Sequence, residues 1–179
     1  MPAPLAKPEA GAGMIPLRAL ALAALLALAA LAACDDGGEG GKAVPFTRQS
    51  LDGRSVDLRK DGDGKVVVLH FWSAAFPGGD AFLSALDELR RESRDRGVLV
   101  LAVAVHSDRD VTAAVIAGKG LGLGLGYPVV ADPDASLARA YGIADTPASV
   151  LIDRDGRVRK RIPGGVPFQV LRSALETLL

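Results

Sequence analysis

Two near-continuous apolar runs constrain this chain more than any other feature: residues 65–72 (KVVVLHFW) and residues 98–105 (VLVLAVAV). A strand with one wet face alternates apolar and polar side chains. Runs without that alternation belong to strands covered on both faces. Between them, residues 79–96 read as a helix. Phe82, Leu86 and Leu89 recur at i, i+4 and i+7, and Gly97 supplies a stop. Strand, helix, strand in that order implies a parallel pair joined by a crossover.

The flanks extend the pattern. Residues 46–50 and 54–58, around Asp52-Gly53, read as a small hairpin. Residues 108–117 read as a helix and 127–131 as a third parallel strand. Asp132-Pro133 then opens a short helix through Tyr141, with Asp132 as the cap and Pro133 at the first helical position. Residues 148–153 and 157–162 form a hairpin over Asp155-Gly156. A last helix over 169–178 places Val170, Leu171, Ala174, Leu175 and Leu178 on one face. The order ββαβαβαββα describes an α/β fold: a mixed central sheet flanked by helices, with an N-terminal hairpin.

Ahead of this lies a different kind of sequence. Residues 14–34 (MIPLRALALAALLALAALAAC) place Arg18 before an unbroken apolar stretch from Ala19 to Leu31, followed by small residues and Cys34. Positive, apolar, small is the order of a secretory signal, and the stretch is short for a membrane span. Leu31-Ala32-Ala33-Cys34 resembles the lipobox of bacterial lipoproteins. That resemblance implies cleavage before Cys34, acylation of its thiol and a membrane anchor; an uncleaved signal anchor is the alternative. The organisation is then residues 1–33 as signal peptide (residues 1–13 an upstream extension, Met14 a plausible start), 34–42 as a lipid-anchored flexible linker, and 43–179 as the folded domain. The domain would face the periplasm or exterior.

Composition excludes several functions. Lys+Arg and Asp+Glu number 21 each, so the net charge is zero and nucleic acid is not an expected partner. With one cysteine and two histidines, the chain has no internal disulfide, and no metal site or cofactor is expected. Residues 118–126 (GKGLGLGLG) fail the spacing of a phosphate loop and precede a strand. Asp61-Gly62-Asp63-Gly64 lacks the later ligands of a calcium loop and reads as a turn. Gly78 and Gly79, at a helix start, offer only a generic anion site with no basic partner nearby.

Two segments carry a family resemblance. Phe71-Trp72-Ser73-Ala74-Ala75-Phe76-Pro77-Gly78-Gly79 resembles the F-W-A-x-W-C-P-P-C stretch of the TlpA/ResA-like thioredoxins, within the redoxin (AhpC/TSA-related) group. Tyr141-Gly142-Ile143-Ala144-Asp145-Thr146-Pro147, running on into residues 150–157 (VLIDRDGR), is similar to the segment in which that family carries a cis proline. The resemblance implies a thioredoxin-like fold over residues 43–179 and thiol–disulfide oxidoreductase ancestry. It places Phe76 at the first, nucleophilic cysteine and Gly79 at the second. Exchange needs a thiolate at the first position, so both exchange and the peroxidase chemistry of the neighbouring peroxiredoxins are expected to be absent. Cys34 lies before the domain and cannot substitute.

What remains is a binding scaffold. In the family the backbone before the proline pairs with an extended peptide; that resemblance implies that Thr146 and Pro147 offer an edge for strand addition, the alternative being that Pro147 only shapes the loop before a strand. Trp72, Phe76 and Pro77 are the candidate apolar contacts beside it, although Trp72 also reads as a core residue. The implied partner is an envelope polypeptide. His70 reads as a neutral core histidine bonded to backbone, and His106 as a solvated loop residue. Alternatives are an enzyme of non-thiol type on the same scaffold and a purely structural envelope lipoprotein.

Overall fold

The computed structural model describes residues 39–73, 79–107, 111–112, 114 and 125–179. The two apolar runs become β3 (Val66–Trp72) and β4 (Val98–Val105), paired in parallel, with every residue of β3 buried. The five-stranded sheet has the order β5-β4-β3-β6-β7, where β5 is Val129–Asp132, β6 Ala148–Ile152 and β7 Val158–Pro163. β5 is parallel to β4, while β6 runs antiparallel to β3 and to β7. The mixed sheet expected from the sequence is therefore present. The N-terminal hairpin is also present, as β1 (Thr47–Gln49) and β2 (Ser55–Asp57).

Each face of the sheet has its own core. On one face Leu69, Phe71, Leu101 and Val103 meet Phe46 and Val56 of the hairpin region and Leu137 and Tyr141. On the other, Val68, Trp72, Val100 and Ala102 meet Leu83, Leu86 and Leu89 of α2 (Gly79–Glu92). Leu171, Ala174 and Leu175 of α4 (Phe168–Glu176) join them. The alternation of a buried strand explains the division, because successive side chains point to opposite faces.

Four local features depart from the sequence reading. A single-turn helix, α1 (Leu58–Asp61), follows β2. Asp57 accepts from the N–H groups of Arg59 and Lys60, and Asp61 accepts from the N–H of Asp57. The helix after β5 starts three residues later than expected, as α3 (Ser136–Ala140), with Ala135 left-handed at φ 53°. Asp132 caps it from the strand end, accepting from Leu137 N–H at 3.1 Å and Ala138 N–H at 3.0 Å. Pro133 therefore precedes the helix instead of opening it. In α4, Val170 is 40% exposed and lies off the apolar face assigned to it.

The fourth concerns the linker. The described part of the segment expected to be a flexible leash, residues 39–42, lies along β7. Gly40 N–H donates to the Val158 carbonyl at 2.6 Å and Val158 N–H donates to that of Gly41 at 2.9 Å. Lys42 and Arg157 form an antiparallel bridge. β7 is an edge strand of the five-stranded sheet, whose outward backbone groups accept such partners, and glycine backbone approaches an edge without steric cost.

Residues 111, 112 and 114 are helical; the rest of the helix expected over 108–117 lies outside the described residues, as does most of 118–126. So do Cys34, Phe76, Pro77 and Gly78. Among the described residues no helix is long and apolar enough to cross a membrane.

Candidate binding site beside Pro147

The register of β3 against β6 pairs Phe71 with Ala148. The C-terminal end of β3, with Trp72 and Ser73, thus lies beside the start of β6, where Thr146 and Pro147 stand. The Thr146–Pro147 bond is cis. A groove of about 550 Å3 runs past it, walled by residues 142–148 on one side and Arg161 to Gly165 on the other. Arg161 fixes the walls together, its Nε donating to the Tyr141 carbonyl at 2.7 Å. Neither the N–H nor the C=O of Thr146 enters a backbone hydrogen bond among the described residues. An extended polypeptide could pair with that unused edge.

Gly164 is the tightest point. A Cβ there would lie 2.3 Å from the Pro147 carbonyl oxygen and 2.7 Å from its Cγ. Only glycine lets the chain leaving β7 pass this close. The sequence reading did not single out Gly164, since its role depends on a contact with a distant loop.

A second cavity, of about 360 Å3, adjoins the groove and shares Pro147 and Gly164 with it. Its lining includes His70, Trp72, Phe82, Ser149, Val166 and Leu171. His70 is 2% exposed and its Nδ1 lies 2.9 Å from Ser149 Oγ. Its partner is therefore a side chain, not the backbone acceptor expected. The Phe82 ring stacks on the imidazole at 4.5 Å between centroids, and Phe168 meets Phe82 edge-on at 5.0 Å. Burial pushes the His70 pKa down to about 3, because the charged form would lose its hydration. The imidazole is therefore neutral near pH 7 and bonded to Ser149 inside the core.

Of the candidate residues, the structure brings Trp72, Thr146 and Pro147 to one end of the sheet. Trp72 is 1% exposed and belongs to the core beneath the cavity. Gly79 begins α2, while Phe76 and Pro77 lie outside the described residues. His106 is exposed, and among the described residues no group of three or more potential metal ligands comes together. Ser149 and Phe82 are the neighbours of His70 in this cavity that sequence reasoning did not place there. A serine inside the apolar strand ASVLI was the one available signal for the first.

Known proteins share this fold. The chain is 32% identical over 139 residues to the thiol-disulfide oxidoreductase ResA of Bacillus thuringiensis subsp. konkukian, covering 77% of this chain and 78% of that one. It is 30% identical to ResA of Halalkalibacterium halodurans, covering 78% and 76%. Among solved structures, a candidate thiol:disulfide interchange protein, DsbE, from Chlorobium tepidum superposes with a TM-score of 0.67 at 26% identity, over 79% of this chain and 98% of that one. A candidate thioredoxin from Neisseria meningitidis gives 0.65 at 26% identity, over 76% and 88%. The AhpC/TSA family matches residues 40–161. On that match and these relatives, the domain folded around the Pro147 groove belongs to the AhpC/TSA family, with ResA-type thiol-disulfide oxidoreductases among its kin.

Proposed function

We propose that this chain is a membrane-tethered, non-catalytic thioredoxin-like protein that binds a partner polypeptide in the cell envelope. One observation carries the reading: the only cysteine is Cys34, so residues 40–161, which match the family, contain no thiol. Thiol–disulfide exchange proceeds by thiolate attack on a disulfide sulfur, and Phe76 and Gly79 stand at the positions the family gives to that chemistry. The signal-like residues 14–33 and the lipobox-like approach to Cys34 support export and anchoring. The backbone of Thr146, without a backbone hydrogen bond among the described residues and lining the groove, supports polypeptide binding by strand addition. By the family resemblance Phe76 and Pro77 would supply apolar contacts to the partner; Trp72, 1% exposed, is a core residue and not the contact expected of it.

The test is affinity capture from solubilised envelopes by the immobilised full-length chain, comparing the parent with Phe76→Ala and Thr146→Pro. The expected result is a polypeptide retained by the parent and lost with either change, both variants keeping the parent's melting transition. Identical retention by all three would leave this face idle and favour a structural lipoprotein.

A further inference from the structure

We propose that the outer edge of the sheet, β7 with residues 39–42 laid along it, is a docking surface for anionic phospholipid headgroups. The proposal takes its reach from the membrane tether inferred above and goes beyond it, because a tether alone sets no face of the domain against the bilayer.

Charge singles out this edge. The chain as a whole carries no net charge, yet residues 157–161 read RVRKR. Arg157, Arg159, Lys160 and, from the paired segment, Lys42 are exposed, and Arg161 is half-buried. The carboxylates nearby, Glu39, Asp153 and Asp155, are outnumbered. Asp153 is already engaged by Arg159 and by the N–H groups of Asp155 and Arg157. The guanidinium of Arg157 donates to the Gly40 carbonyl at 2.9 Å, and that of Arg161 to the Tyr141 carbonyl at 2.7 Å. A carbonyl orients a cation without cancelling its charge. Lys160 forms no ion pair among the described residues. An excess of one sign along an exposed strip favours a surface of the other sign.

The course of the chain selects which surface. Backbone bonds join Gly40 and Gly41 to Val158, so the chain enters the folded domain along β7 itself. Cys34 lies six residues before Gly40, and six residues span at most about 20 Å. An anchor at Cys34 thus keeps this edge within reach of the headgroups. Salt confines the attraction to roughly 8 Å, too short a range for a weak patch on an untethered domain. A short tether raises the effective concentration of the second contact. Basic residues beside a lipid anchor then act as its second attachment.

The test uses the full-length chain, labelled with nitrogen-15, in lipid nanodiscs with and without a gadolinium-chelating lipid. One set of discs is phosphatidylcholine alone, and the other contains phosphatidylglycerol. In the anionic discs the amides of residues 158–161 should be broadened at least about threefold more than those of β5, the opposite edge, with no such contrast in the neutral discs. Salt at about 1 M should abolish the contrast. So should Arg159→Gln with Lys160→Gln, while the sheet resonances stay in place. Arg48→Gln with Arg139→Gln, which removes the same charge from the hairpin and α3, should preserve it. The proposal is overturned if both lipids give the same pattern, or if the contrast survives salt or the β7 substitutions. It is equally overturned if the control pair removes the contrast as fully. Chain retained in the discs without the contrast sinks docking alone, whereas chain retained by neither lipid sinks tethering and docking together. Capture of a polypeptide through Thr146 is read in a separate experiment.

Discussion

Gly164→Ala is expected to destabilise the folded domain by about 2–3 kcal/mol, a fall in melting temperature of about 8 °C. The added methyl would sit 2.3 Å from a backbone oxygen and 2.7 Å from a proline ring carbon, and neither can rotate away. Either the loop after β7 or the loop before β6 must shift, and both form the walls of the groove. Gly165→Ala is the matched control. Its φ is +80° but a Cβ there meets nothing within 4 Å, so its cost is backbone strain alone, about 1 kcal/mol. Thermal melts of the two variants beside the parent check the ordering. Equal or reversed effects would mean that the close approach at Pro147 is not fixed in solution.

The second large effect is an acid-side loss of stability owed to His70. Its folded pKa of about 3 lies far below the 6.5 of an ordinary histidine. Below that value the unfolded chain binds a proton that the folded chain refuses. The stabilisation is thus complete above about pH 6.5 and is lost as pH falls toward 3, by up to about 1.4 kcal/mol per unit. Hydrogen bonds and ion pairs hold Asp87 and Asp153 below the ordinary carboxylate range, and their contributions fade only at lower pH. The interval from about pH 6 to 4.5 therefore belongs to His70, and the parent should lose about 2 kcal/mol across it. His70→Asn, which can still bond Ser149, should be nearly flat there. Denaturant titrations at several pH values provide the measurement; parallel slopes for parent and variant would refute the assignment.

Much of the fold was legible because local pattern and tertiary role agree. VVVLHFW and VLVLAVAV can only be two-sided strands, and Leu86 and Leu89 recur at the spacing their buried face requires. Val170 misled because an apolar residue at helical spacing need not face the core. Asp132 looked like a cap and is one, but it acts from the end of β5 across a left-handed Ala135, a geometry that no spacing rule encodes. Residues 40–42 looked like free linker because glycines carry no pattern; their pairing is with backbone on β7, more than a hundred positions away. The site divides in the same way. Thr146 and Pro147 were readable from a motif, whereas the His70–Ser149 bond, the Phe82 stack and the approach of Gly164 arise only when β3, β6 and β7 come together.

The central claim is that a thioredoxin-like scaffold persists here without thiol chemistry. Its most direct test is the rate of insulin disulfide reduction by dithiothreitol in the presence of the full-length chain, with Cys34→Ser alongside. The account predicts that both proteins leave the rate at the uncatalysed background, because no thiol lies within the folded domain. A rate above background for the parent that disappears in Cys34→Ser would show that the lone cysteine reaches the substrate, and would contradict the account.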